Sequence, residues 1–288
     1  MESLAQPILN GILLGGLYAI IALGMTTMFG IVKLVNLAHG DLMILSGYFS
    51  LAIIAQFDIN PFWSLIGIIP IMFVIGFVIQ KYLLNRVLGS EMEPPLLVAF
   101  GLSIIIQNLL LLVFTPDAQS LKSSISVQTI KLTEYLNVPL IYLVDFLIGC
   151  SVIFLLSLFF NKTYIGRAIR SASDDVIAAQ LMGVDTKNIF AIAMGIAMIT
   201  AAIAGVLVGT TFSFYPHTGA QYLLIAFGVV IIGGLGSMKG VLLGGIILAE
   251  AQLLGAHFTS PGYQQLIGYL VLLIVLRIRP QGFFGQAH

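Results

Sequence analysis

Nine long stretches of this 288-residue chain are almost free of charged residues, and their length limits what the chain can fold into. A helix needs about 20 residues to cross the roughly 30 Å hydrocarbon core of a bilayer. Charged residues make up only 8% of the chain, whereas about 25% is usual in a soluble domain, and the mean hydropathy is +1.08. The sequence therefore predicts an all-α, polytopic transmembrane helical bundle. The stretches are 8–29, 37–57, 62–80, 95–114, 139–160, 189–212, 220–236, 241–257 and 263–276.

The number of full membrane crossings is predicted as nine, with eight as the alternative. The stretches 37–57, 220–236 and 241–257 have polar or glycine-rich ends, so one or two of them are expected to be broken or half-span helices. Placing residues 161–188 in the cytoplasm puts ten of the twelve basic residues on that side, as the positive-inside rule requires. The N-terminus is then outside and the C-terminus inside. Residues 1–288 are treated as a single transmembrane domain, and the long outer loop before residue 139 is expected to hold a strand pair or a surface helix.

A charged island between the fifth and sixth stretches has the pattern of a short amphipathic helix. Ser173 is a good N-cap, with Asp174 and Asp175 in the first turn. Ile177 and Leu181 share a face, and Gly183 is placed to end the helix. Such a helix lies on the membrane surface or inserts into a groove of a soluble partner. The charged residues of the island are Lys162, Arg167, Arg170, Asp174, Asp175, Asp185 and Lys187.

The sequence NLAHGD, residues 36–41, places three polar side chains at the predicted inner mouth of the second stretch. Only 16 uncharged residues separate Asp41 from Asp58, so either Asp41 enters the span slightly or this helix is short. Two interpretations are open for Asp41: a polar cap on a helix N-terminus, or part of a cytoplasmic gate together with Asn36 and His39. A metal site is not predicted, because one histidine and one aspartate are too few ligands.

Glu250 and Asp145 are acidic residues inside apolar stretches, where an ionisable group is costly and is a functional candidate. Glu250 is either a structural carboxylate that joins helices or a group that lines a translocation path. The candidate partners of the two acids are Gln252, Gln107 and Asn108.

Catalytic patterns are absent from the sequence. The stretch GGLGSMKG lacks the Gly-Lys-Ser/Thr order of a phosphate-binding loop, and it is interpreted as the turn at the inner end of a span. Nucleophile-elbow and Cys/His metal spacings are also missing. The chain is therefore predicted to be neither an enzyme nor a metal protein, and to bind no cofactor and no nucleic acid.

The spacing Ala178-Ala179-x-x-x-Gly183 resembles the "EAA" loop with which permeases of bacterial ABC importers dock on their ATPases. Ile177 stands where that loop has Glu, and its Ile-x-Leu-Pro tail is missing. Together with GRAIRSASDD, GLYAIIALGMTTMFGIVKLVNLAHGD, AFGVVIIGGLGSMKG and the tail RPQGFFG, the chain resembles the shorter of the two branched-chain amino acid permeases over nearly its whole length.

The resemblance implies a transporter of several different subunits in the bacterial or archaeal inner membrane. An extracytoplasmic binding protein would deliver the solute, a second and longer permease would complete the path, and two cytoplasmic ATPases would hydrolyse ATP and drive alternating access. Urea, short amides and other amino acids are alternative solutes, while an ion-driven secondary transporter and a passive channel are alternative functions. The implied coupling residues are Gly166, Arg167, Arg170, Asp174, Ala178, Ala179 and Gly183; the path or gate residues are Asn36, His39, Asp41 and Glu250.

Overall fold

The computed structural model describes residues 2–89, 93–133 and 136–285, and most of these residues are helical. The first half of the chain forms α1 (Glu2–Val32), α2 (His39–Phe57), α3 (Pro61–Val78), a π-helical segment (Ile79–Leu84), α4 (Asn85–Val87), α5 (Glu93–Val113) and a 3-10 turn (Ser124–Val127). Strands β1 (Thr129–Thr133) and β2 (Leu136–Pro139) follow. The second half forms α6 (Leu140–Lys162), α7 (Tyr164–Asp174), α8 (Val176–Leu181), α9 (Thr186–Thr211), α10 (Gly219–Gly233), α11 (Met238–Phe258), a 3-10 turn (Pro261–Tyr263) and α12 (Gln264–Ile278).

The polytopic helical bundle is confirmed, and each of the nine predicted stretches corresponds to a helix. Within the described residues, eight helices are long and apolar enough to cross a membrane, and α10 is the shorter apolar helix. The prediction that one or two stretches are incomplete spans fits α10, which has 15 residues, and α2, which begins inside the bundle as described below. The stretch 241–257 is different, because α11 runs over 21 residues despite its glycines.

Most of the basic residues gather at one end of the bundle, called the basic end here. Lys33, Arg170 and Lys239 line one cavity there together with the chain at Pro280. The amide of Asn85 donates to the carbonyl of Lys187, which brings the end of the π-helical segment to the same place. This grouping is the one expected when the loops on one side of a membrane carry the positive charge.

Helices α1 and α9 form the buried centre, and α3, α5, α6 and α12 expose long apolar faces around them. Glycines let the central helices approach closely, as is typical of membrane bundles. Gly15 of α1 lies against Ile246 of α11, and Gly245 of α11 lies against Ala19 of α1. Gly205 of α9 lies against Met43 of α2, so α2 packs across the middle of α9.

The loop between α5 and α6 at the opposite end contains the strand pair that the sequence allows. β1 and β2 are antiparallel, with Thr129 opposite Pro139; residues 134 and 135 between them lie outside the described part. The chain before them is also fixed, because Gln119 and Phe214 exchange backbone hydrogen bonds of 2.9 Å. This contact holds the loop after α5 against the segment that follows the C-terminal end of α9.

Candidate functional site

The stretch 33–38 returns into the bundle before α2 begins. Lys33 has a positive φ of 56°, and the chain then turns at Asn36, whose Oδ1 accepts a 3.0 Å hydrogen bond from the backbone N–H of Ala38. The ring Nε2 of His39 donates to the carbonyl oxygen of Ile21 at 2.9 Å. Ile21 lies eleven residues before the end of α1, which corresponds to about 16 Å of helix. Helix α2 therefore starts deep in the bundle.

The first turns of α2 and α10 touch through two glycines. A Cβ at Gly40 would clash with the carbonyl oxygen of Gly219, and a Cβ at Gly219 would clash with the carboxylate of Asp41. Only residues without side chains allow this close approach. The N-termini of two helices thus meet at the same depth, and each carries the positive end of a helix dipole.

Asp41 lies between these two N-termini and binds a third helix. Its side chain is 1% exposed, and its Oδ2 accepts a 2.6 Å hydrogen bond from the hydroxyl of Ser103. Its Oδ1 accepts a 3.0 Å bond from Nε2 of Gln107. Both donors are uncharged and belong to α5, so Asp41 ties α5 to the junction of α2 and α10. The residues Asn36, His39, Gly40, Asp41, Ser103, Gln107 and Gly219 are called the junction cluster below.

The depth of the junction cluster differs from the predicted inner mouth of a span. The sequence gives no sign that residues 33–38 fold back along α1, which moves Asn36, His39 and Asp41 away from the basic end together. The partners of Asp41 are also different from those expected, because Gln107 was a candidate partner of Glu250 or Asp145. Ser103 and Gly219 were missed as site residues, since Ser103 is a single small residue within an apolar helix and Gly219 is one glycine at the start of another.

Glu250 does not join the junction cluster. Its carboxylate packs against Gly11, in the contact between α11 and α1, and neither carboxylate oxygen has a hydrogen-bond partner among the described residues. The predicted partner Gln252 instead accepts a 2.6 Å hydrogen bond from the hydroxyl of Tyr18, and Asn108 donates to the carbonyl oxygen of Ile104 in its own helix. Asp145 is bound by the hydroxyl of Thr211 at 2.7 Å.

The charged island forms two helices rather than one. Thr163 caps the first helix, because its Oγ1 accepts from the N–H of Gly166 at 3.0 Å, and α7 then continues through Asp174. Asp175 is the N-cap of α8, with its Oδ1 accepting from the N–H groups of Ile177 and Ala178 at 2.9 Å each. The prediction that Ser173 caps this helix is therefore wrong. Its hydroxyl donates instead to the carbonyl oxygen of Gly30 at the end of α1.

The predicted coupling residues of α7 connect the island to the bundle. Gly166 is buried and packs closely on the backbone of Phe160, at the end of α6. Arg170 donates from Nη2 to Oδ1 of Asn161 at 2.8 Å, while Arg167 donates to the carbonyl oxygen of Lys162 at 3.3 Å. Asp174 is exposed and lines a cavity together with Arg170. A movement of α7 would therefore pull directly on α6.

The end of α8 has the geometry that the sequence predicts. Gly183 has a φ of +83°, the N–H of Gly183 donates to the carbonyl oxygen of Gln180 at 2.9 Å, and that of Val184 donates to Ala179 at 3.0 Å. These hydrogen bonds close the last turn of the helix around the glycine, as in a Schellman-type ending. Ala179 is buried, whereas Ala178 is exposed.

The outer face of α8 is apolar and uncovered. Ile177, Leu181 and Met182 are 71%, 83% and 84% exposed. Exposed side chains of this size on a short, firmly ended helix are typical of an anchor for a partner protein.

A cavity of about 1110 Å³ opens at the basic end beside α7. The segment GGLGSMKG forms one wall as the turn between α10 and α11, where Oγ of Ser237 caps α11 by accepting from the N–H of Gly240. The C-terminal tail forms another wall. The N–H groups of Phe283 and Phe284 donate to the carbonyl oxygens of Ile232 and Gly233, which satisfies the end of α10.

A family model described as "Branched-chain amino acid transport system / permease component" matches residues 7–276. The chain belongs to this family. The permease is similar to "High-affinity branched-chain amino acid transport system permease protein LivH" of Escherichia coli K12, with 31% identity over 98% of this chain and 95% of LivH. It is also similar to the permease protein LivM of the same organism, with 30% identity over 41% of this chain and 28% of LivM.

The fold of the permease is similar to that of a chain in the solved structure of "PsaBC from Streptococcus pneumoniae in complex with Fab". The TM-score is 0.51, the sequence identity is 13%, and the match covers 94% of this chain and 91% of that chain. At this identity the likeness concerns the helical architecture. No group of three or more metal-binding side chains is found within the residues that the structure describes.

Proposed function

We propose that this permease is one of two membrane subunits of a binding-protein-dependent ABC importer, and that it forms half of the path for the branched-chain amino acids Leu, Ile and Val. The similarity to LivH over nearly the full length of both chains supports this solute class. The similarity to a segment of LivM supports a second, longer permease as the partner. The importer would lie in the bacterial or archaeal inner membrane, with the basic end in the cytoplasm.

The exposed apolar face of α8 is the observation that carries the ATP-driven part of the proposal. Ile177, Leu181 and Met182 are the anchor that one of two cytoplasmic ATPase subunits binds. Movement of the ATPase passes through Gly166 to α6, and through Arg170 to Asn161. Arg167, Asp174, Ala178, Ala179 and Gly183 complete this coupling region. ATP is hydrolysed by the partner subunits, and this chain binds no cofactor.

The junction cluster is the proposed gate of the path. Asn36 fixes the turn before α2, His39 holds the start of α2 against α1, and Asp41 holds α5 against α2. Because these contacts are a few hydrogen bonds from the first turn of α2 rather than a whole helix face, small rotations of α2 break or re-form them. Glu250 is proposed as a separate group of the path or gate, acting at the contact between α11 and α1.

Reconstitution of the four-subunit complex with its binding protein tests the proposal. Uptake of labelled leucine, isoleucine and valine that requires ATP inside the vesicles, and that a protonophore leaves unchanged, is the expected result. Arg170→Glu is expected to abolish the ATP hydrolysis that the loaded binding protein stimulates, and Lys122→Glu in the outer loop is the matched control.

Two results would contradict the proposal. Uptake by this chain alone that a protonophore abolishes would identify an ion-driven transporter. Preferential uptake of urea or short amides would contradict the proposed solute, but not the proposed assembly of permease and ATPase subunits.

A further inference from the structure

Two amide side chains are exposed at membrane depth on the helices that the junction cluster joins. Asn108 lies in the last third of α5, directly after Gln107, and Gln221 lies in the first turn of α10, two residues after Gly219. Both are exposed, while their neighbours Gln107 and Gly219 contact Asp41. An amide in contact with lipid loses hydrogen bonds that hydrocarbon does not replace. Nδ2 of Asn108 donates to the carbonyl oxygen of Ile104 in the same helix, and the remaining amide groups at the two positions need water or another protein as hydrogen-bond partners.

Among the described residues, the exposed faces of α3 and α12 have no amide along the span. The exposed residues of α3 are apolar, among them Ile66, Ile71 and Val74. Beyond its first turn, α12 exposes Leu266, Leu270, Leu273 and Ile274 along the span. These faces have the composition expected for contact with lipid chains. The two amides thus distinguish the exposed residues of α5 and α10 from those of α3 and α12.

The same side of α5 has room for a neighbouring helix. Gly101 lies seven residues before Asn108, so the two share a face of the helix. A Cβ at Gly101 would meet nothing within 4 Å, in contrast to the tightly packed glycines of α1 and α9. A bare glycine followed two turns later by an exposed amide is the pattern of a helix that packs on another transmembrane helix.

We propose that the face of α5 and α10 that carries Gly101, Asn108 and Gln221 is this chain's wall of the translocation path, and that the second permease forms the opposite wall. This inference rests on the proposed function, because among its partners only the second permease spans the membrane. The amino acid that the binding protein delivers passes between the two walls. There the amides of Asn108 and Gln221 form hydrogen bonds that replace part of its hydration. Asp41, directly behind this face, sets the position of α5 and hence the width of the path.

Site-specific photo-crosslinking in the assembled complex tests this surface. A photo-reactive amino acid is placed at Ile104 and Leu224 on the proposed wall, and at Val74 and Leu270 on the control faces. These four side chains are 44%, 53%, 57% and 48% exposed, so access to a neighbour is comparable. The expected result is an adduct with the second permease from Ile104 and Leu224, at least tenfold more abundant than from Val74 and Leu270.

The failure of the wall and the failure of the proposed function give different results. Adducts with the second permease mainly from Val74 or Leu270, or from none of the four positions in a complex that contains it, would overturn the wall. A complex that purifies without any second permease would instead overturn the proposed function.

Accessibility to a hydrophilic maleimide provides an independent readout. Asn108→Cys and Gln221→Cys are expected to react at least tenfold faster than Leu270→Cys in the intact complex. The labelling rates of Asn108→Cys and Gln221→Cys are expected to change when the solute-loaded binding protein and trapped ATP are present. Equal and slow labelling of all three positions would show that no aqueous path runs along this face.

Discussion

The island at the basic end and the junction cluster inside the bundle use polar residues in opposite ways. In the island the polar groups form local hydrogen bonds, and they leave an apolar face of α8 exposed to water. In the junction cluster the polar groups are buried, and their partners are far away in the chain: Asp41 binds Ser103, 62 residues later. The exposed apolar face of the island suits the binding of a partner protein. The buried hydrogen bonds of the junction cluster suit a contact between helices that changes during transport.

Gly40→Ala gives the largest expected effect, because it separates the two helix ends of the junction cluster. The new methyl group clashes with the backbone of Gly219, which has no rotamer to move away. We expect a loss of about 3 kcal/mol in the free energy of unfolding, measured by thermal or denaturant unfolding in detergent. Gly101→Ala, which has free space inside α5, is the control; it should leave the stability unchanged or raise it by up to about 1 kcal/mol. Equal stability of the two variants would disprove the close contact.

Asp41→Leu should come next, and it tests the hydrogen bonds that attach α5. The substitution leaves the hydroxyl of the buried Ser103 without its acceptor, at a cost of about 1–3 kcal/mol, and leaves Nε2 of Gln107 only its 3.3 Å bond to Oγ of Ser103. Transport is expected to fall at least tenfold, while Asp41→Asn, which keeps one acceptor oxygen, should retain more activity. Binding of the ATPase subunits should be unchanged in both variants. Full transport by Asp41→Leu would remove the junction cluster from the gate.

Gly183→Ala tests the island through backbone conformation alone. The alanine has room, but a φ of +83° costs an L-residue about 1–2 kcal/mol. We expect a lower ATPase activity stimulated by the binding protein, with unfolding of the bundle unaffected. Gly262→Ala has similar space and no positive φ, and it should behave like the unmodified protein. Identical coupling in both variants would show that the end of α8 is unimportant.

Glu250→Gln should have the smallest effect of the four substitutions. It keeps the shape of the side chain beside Gly11 and removes only the ionisable group. A role in the path predicts a decrease in leucine uptake of about fivefold, equivalent to about 1 kcal/mol, at unchanged assembly. Unchanged uptake and assembly would show that Glu250 serves only the packing of α11 on α1.

The sequence predicts the helices of this protein well because membrane thickness sets their length. Every apolar stretch forms a helix, and α8 ends at Gly183 as expected, with a positive φ at this glycine. The cap of α8 was displaced from Ser173 to Asp175 because the preceding residues are themselves helical, which a pattern around one cap does not reveal. Capping signals of this kind predict the position of a helix end to within a few residues.

The junction cluster was predicted only in part, because its contacts depend on how the chain returns into the bundle. Asn36, His39 and Asp41 are conspicuous as polar residues beside an apolar stretch. The depth of these three residues in the bundle follows from the turn at residues 33–38. The residues that contact Asp41 belong to α5 and α10. Gly219 is one of 30 glycines, so its special position becomes visible only when α10 is placed next to α2.

We propose above all that the island binds the ATPases while the junction cluster controls the path. The most direct measurement follows binding-protein-stimulated ATP hydrolysis and leucine uptake together in proteoliposomes that contain Leu181→Asp or Asp41→Leu. We predict that Leu181→Asp loses the ATPase subunits and both activities, whereas Asp41→Leu keeps the ATPases and their hydrolysis and loses only uptake. Loss of the same activities and the same subunits in both variants would contradict this division of roles.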